Sequence, residues 1–171
     1  LHIVSDKLKG HKAILKLKLI NFKGDVLKEV EKNINIKSNT SQVYFNLNTS
    51  EFLVENRKEN ILIVGELLDD TGISIDETLF YFTKPNQLKL QKTSLNYLII
   101  NDTKNKVELE ISSEFLAKNC SLSTDLKGHF SNNYFDILPN RKYKITFNSD
   151  KEINLDTFKK SLKLKSLIDT Y

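Results

Sequence analysis

The sequence predicts an all-β protein made of two antiparallel β-sandwiches in tandem. Apolar and polar residues alternate with period two in one run after another, turn-forming clusters separate the runs, and no helical period persists long enough for a long helix. A third sign is the stretch Asn133-Tyr134-Phe135-Asp136-Ile137-Leu138-Pro139-Asn140. It sets two apolar pairs around Asp136, expected to form a turn, and ends in Pro-Asn, so it reads as a corner handing one strand to the next.

In order along the chain, Leu1-His2-Ile3-Val4 opens as a strand. Ala13, Leu15, Leu17 and Leu19 alternate with polar residues, and Val30, Ile34 and Ile36 lie opposite Glu29, Glu31, Asn33 and Asn35. Gly24-Asp25 between them supplies a turn where positive φ is cheap, so the two runs make a hairpin. After the polar breaker Ser38-Asn39-Thr40-Ser41, Val43, Phe45 and Leu47 alternate with Tyr44 and Asn46 as another strand. Thr49-Ser50-Glu51 begins a short irregular or helical segment through Phe52, Leu53 and Val54. Ile61-Leu62-Ile63-Val64 is apolar on both faces, as in a central strand, and Asp69-Asp70-Thr71-Gly72 turns the chain toward a return strand at 78–82.

Thr83-Lys84-Pro85-Asn86-Gln87 is the expected domain boundary, giving domains 1–83 and 84–171. Pro85 biases Lys84 to extended geometry and cannot join a central ladder. The pattern then begins again with strands at 95–100 and at Val107, Leu109 and Ile111, joined by the polar turn Asn101-Asp102-Thr103-Lys104-Asn105. A strand at 115–122, a loop with Gly128 and His129, the corner and the alternating run Tyr143-Lys144-Ile145-Thr146-Phe147 follow. Asp156 is expected to cap one or two helical turns, and 164–168 to close the sheet.

A chain of 171 residues buries roughly 70% of its unfolded surface and needs no covalent staple. The single cysteine, Cys120, rules out an internal disulfide framework and reads as a small buried hydrophobe. With only His2, His11 and His129 besides, no metal-ligand spacing appears. The net charge of +4 is small, and Arg57 and Arg141 are the only arginines, so nucleic acid is not an expected partner. The lysines of Leu15-Lys16-Leu17-Lys18-Leu19 instead read as the wet face of a half-buried sheet. No apolar run reaches the length of a membrane span and no signal peptide is evident. The start on a strand, without methionine, reads as a piece of a longer protein.

No residue presents itself as catalytic, cofactor-binding or metal-binding, and no cofactor is expected. The neighbouring acids Asp69-Asp70 and Asp76-Glu77 lie in turn-like surroundings, where carboxylates stay solvated, whereas catalysis requires shifted ones. His129 lacks a partner that would make it a base. Five glycines build no phosphate loop or nucleophile elbow. There is no tryptophan, and aromatics such as Phe45, Tyr143 and Phe147 alternate inward, leaving Tyr44, Tyr81 and Tyr97 as the candidates for an outer sugar-stacking face. Acceptor patterns for N-glycosylation at Asn39, Asn48, Asn101 and Asn119 are about what chance gives in a chain with this much asparagine.

The segment 131–140 with the strand after it resembles the last immunoglobulin-like domain of β-mannosidases of glycoside hydrolase family 2. There the pattern is a small residue, Asp-Asn, two aromatics, Asp, two apolar residues, Pro-Gly and Glu. This chain has Asn132, Asn140 and Arg141 at three of those places, and Asn140 tolerates the left-handed geometry the corner needs. Val4-Ser5-Asp6, Asn21-Phe22-Lys23-Gly24, the breaker before Val43, the stretch 77–82 with Lys84-Pro85, and Leu88-Lys89-Leu90 are similar to the preceding mannosidase sandwich. Residues 164–171 are similar to the family's chain end.

The resemblance covers essentially the whole chain and implies two immunoglobulin-like sandwiches. It implies a parent that removes terminal β-mannose with retention, by means of a Glu acid/base and a Glu nucleophile in a preceding (β/α)8 barrel. No catalytic position carries over to this chain, whose expected partner is that barrel. Two rivals remain: a module gripping mannan or another glycan, and a free-standing protein-interaction domain.

Overall fold

The computed structural model describes residues 1–48, 53 and 57–170 and folds them into antiparallel sheets. Two compact units form, one from Leu1–Asn21 and Asp25–Lys89, the other from Phe22–Gly24 and Leu90–Tyr171.

In the first unit β1 (His2–Ser5) pairs with β4 (Thr40–Val43). A four-stranded sheet has the order β3-β2-β5-β6, built from β2 (His11–Asn21), β3 (Val26–Ile36), β5 (Ile61–Leu68) and β6 (Ser74–Tyr81). Ala13, Leu15, Leu17 and Leu19 of β2 are buried and form one core with Ile34, Ile36, Ile61 and Ile63. A period of two puts the intervening lysines on the other face. There Lys16 Nζ lies 2.7 Å from Glu29 and 3.6 Å from Glu31, and Lys18 Nζ lies 3.3 Å from Glu66. Gly24 turns the hairpin at φ +93°, and β5, apolar on both faces, runs between β2 and β6.

One expected strand is cut short. The ladder of β4 ends at the exposed Val43. The amides of Tyr44 and Phe45 then donate to the Leu1 carbonyl, and the Leu1 α-amino group donates to the Phe45 carbonyl. Tyr44, Phe45 and Leu47 all pack against the core. A regular strand would put Tyr44 and Phe45 on opposite faces, so the backbone leaves the pleat to bury both. The expected segment at 49–54 lies outside the described residues except for Leu53, which packs on the same core.

The second unit is a seven-stranded sandwich. Its larger sheet has the order β10-β12-β8-β7, from β7 (Leu95–Thr103), β8 (Lys106–Ser113), β10 (His129–Phe130) and β12 (Lys142–Asn148). Its smaller sheet has the order β11-β9-β13, from β9 (Ala117–Ser123), β11 (Phe135–Ile137) and β13 (Lys163–Lys165). Val107, Leu109, Ile111, Ile145 and Phe147 from the first meet Ala117, Cys120, Leu122 and Ile137 from the second. Phe158 of helix α1 (Leu155–Ser161) closes this core.

Four local expectations change here. β7 runs on through Thr103, with Ile100 as an extra residue between the pairs Ile99–Leu109 and Asn101–Glu108. His129 lies on a short strand paired with β12, because Gly128 lets the chain close on it: a Cβ on Gly128 would fall 2.3 Å from the Asn148 carbonyl oxygen. The cap of α1 is Asn154, whose Oδ1 accepts from the Thr157 amide at 2.9 Å, and Asp156 sits in the first turn. The closing strand is only β13, after which Leu167–Thr170 forms a 3-10 turn. Both units are antiparallel all-β sandwiches, as the periodicity predicts.

Candidate functional site

Residues 133–140 tie the smaller sheet of the second unit together. Asn133 acts as a piece of backbone: its Oδ1 accepts from the Leu122 amide at 2.8 Å and its Nδ2 donates to the Leu122 carbonyl at 2.8 Å. Replacing Asn133 with alanine strands both groups of Leu122 and is expected to cost about 2 kcal/mol. A downward shift of the urea midpoint, followed by circular dichroism, checks this.

Asp136 is not a turn residue. It lies on β11, where the pairs Phe135–Cys120 and Ile137–Ala117 leave Lys118 and Asn119 of β9 opposite one residue, a β-bulge. The Asp136 carboxylate grips that bulge, accepting from the Asn119 amide at 2.7 Å and meeting Lys118 Nζ at 3.1 Å. Asn119 is left-handed at φ +50°. Beyond the strand, Asn140 adopts φ +60°, as expected from its place where the family has glycine, and the Tyr143 hydroxyl accepts from the Leu138 amide at 3.1 Å.

One residue of the two apolar pairs around Asp136 does not pack inward. Ile137 and Leu138 are buried and Phe135 packs on the core, but Tyr134 has φ +59° and is 76% exposed. The left-handed residue breaks the alternation and turns its ring to solvent.

The acidic pairs have structural occupations. Asp69 Oδ1 accepts from the Thr71 hydroxyl at 2.7 Å and from the amides of Thr71 and Ile73, both at 2.9 Å. The Thr71 hydroxyl first, and then the Ile73 amide, hold its carboxyl below the usual range. Asp70, Asp76 and Glu77 are exposed. His129 is exposed on β10. Cys120 is buried, its Sγ donates to the Ala117 carbonyl at 3.3 Å, and burial pushes the thiol up to about 12, which keeps it a neutral core residue. Among the described residues no His/Cys/Asp/Glu group is placed to hold a metal, and no helix is long and apolar enough to cross a membrane.

Nor do the three candidate tyrosines form a platform. Tyr44 packs on the core of the first unit and its hydroxyl accepts from the Lys37 amide at 3.1 Å. Tyr81 is half-buried on β6, and Tyr97 is exposed on β7 of the second unit. The first unit does carry a cleft of about 530 Å3, invisible in the sequence because strands far apart in the chain form it. Apolar Leu1, Val4, Leu67 and Ile75 line it together with Asp6, Glu66 and Asp76. A second cleft of about 420 Å3 is lined by residues including Lys12, Asn33, Asn35 and Asp70. Among the described residues, neither has a phenylalanine or tyrosine in its wall.

Comparison with known proteins agrees with this picture of two β-sandwiches. A family model described as a mannosidase Ig/CBM-like domain matches residues 1–86, and one described as an Ig-fold domain of mannosidases matches residues 90–170. No curated protein sequence matches the chain. Among solved structures, a β-D-mannosidase from Dictyoglomus thermophilum superposes with a TM-score of 0.77 at 24% identity, over 97% of this chain and 20% of that one. An exo-chitosanase from Amycolatopsis orientalis superposes with a TM-score of 0.56 at 11% identity, over 96% of this chain and 24% of that one. At such identities the structures speak for the fold, and the chain spans about a fifth of the β-mannosidase. The family models span both sandwiches, in order and nearly end to end: the chain belongs to the mannosidase immunoglobulin-like domain family.

Proposed function

We propose that this chain is the pair of non-catalytic C-terminal accessory sandwiches of a retaining exo-β-mannosidase of glycoside hydrolase family 2. On this reading the glutamates that cleave terminal β-mannose belong to a (β/α)8 barrel in the same polypeptide, and the sandwiches support that barrel. We place the division between them at residues 83 and 84. The observation that carries the reading is the succession of two mannosidase-type domain matches along one chain. The side chains support it too: Asp69 is committed to its turn, Asp76 and Glu77 are exposed, and among the described residues no phenylalanine or tyrosine lines either cleft. Exposed Tyr134 suits a surface that meets another domain.

The purified chain is expected to leave an aryl β-mannoside unhydrolysed above a buffer blank and to give no heat with manno-oligosaccharides in titration calorimetry. Turnover by the chain would overturn the non-catalytic assignment. Binding at millimolar strength or better would overturn the scaffold role in favour of a glycan-gripping module. The coding sequence upstream is expected to continue in frame into a barrel; a start codon at Leu1 would favour the free-standing interaction domain instead.

A further inference from the structure

We draw no further inference here: the strongest candidate, the cleft of about 530 Å3 in the first unit lined by Leu1, Val4, Leu67 and Ile75 with Asp6 and Asp76, is an unpartnered apolar groove beside acidic side chains, and nothing in the structure shows what covers it.

Discussion

Replacing Phe158 with alanine is expected to lower the stability of the second sandwich by about 4 kcal/mol. Phe158 is completely buried, its ring centroid lies 5.2 Å from that of Phe147, and Phe147 lies 5.0 Å from Phe130, so the three rings fill one end of the core. A helix as short as α1 has no stability of its own. It stays in place because it delivers this ring, with Leu155 and Leu162 packing beside it, and because the Ser161 hydroxyl lies 2.6 Å from that of Thr124. Removing the ring therefore opens a cavity and loosens the element that carried it. Against a typical total of about 5–15 kcal/mol, the loss is large. Thermal unfolding is expected to move down by roughly 20 °C on the scale of a domain this size. A shift of only a few degrees would mean that α1 covers the core without sealing it.

Asp136→Ala is the second large effect, expected at about 3 kcal/mol. The side chains of Asp136 and Lys118 retain only 13% and 11% of their exposure. Breaking a mostly buried pair from one side removes the countercharge beside Lys118 while its burial remains, which costs more than the pair contributes when intact. The Asn119 amide loses its acceptor in the same step. Asp136→Asn keeps an acceptor for that amide and removes the charge, so an intermediate loss separates the two contributions. Exchanging Lys118 for methionine in the Asp136→Ala background is expected to recover part of the stability, because no buried charge then remains. Urea unfolding of the four proteins checks all of this, and an Asp136→Ala loss below about 1 kcal/mol would show the pair to be solvated.

Much of the architecture was legible because period two is a local signal. The buried leucines of β2, the strand apolar on both faces at β5, the turn at Gly24 and the left-handed Asn140 each follow from a few neighbouring residues. What failed depended on distant ones. Asp136 reads locally as a turn former, and its true partners, Lys118 and Asn119, come 18 and 17 positions earlier. Tyr134 alternates like a core residue until a positive φ turns it outward. The helix cap was off by two positions because Asn154 and Asp156 have equivalent capping chemistry, and packing of Phe158 decided between them. As for the site, the turn chemistry of Asp69 was visible in Asp-Asp-Thr-Gly, whereas the clefts were not, since strands separated by dozens of residues build them. The burial of Tyr44 was hidden for the same reason: it follows from the Leu1 carbonyl pulling the chain out of its strand.

The order of strands in the second unit sets a schedule for its synthesis. β9 needs β13 as a neighbour, and β13 comes after α1, so the smaller sheet stays incomplete until Lys165 has been added. β7 is among the first parts made. At about 5–20 residues per second, the roughly seventy residues between them take about 4–14 s. For those seconds the ribosome displays an uncharged strand with no finished sandwich behind it, which makes residues 95–101 the place where a chaperone has the most to shield.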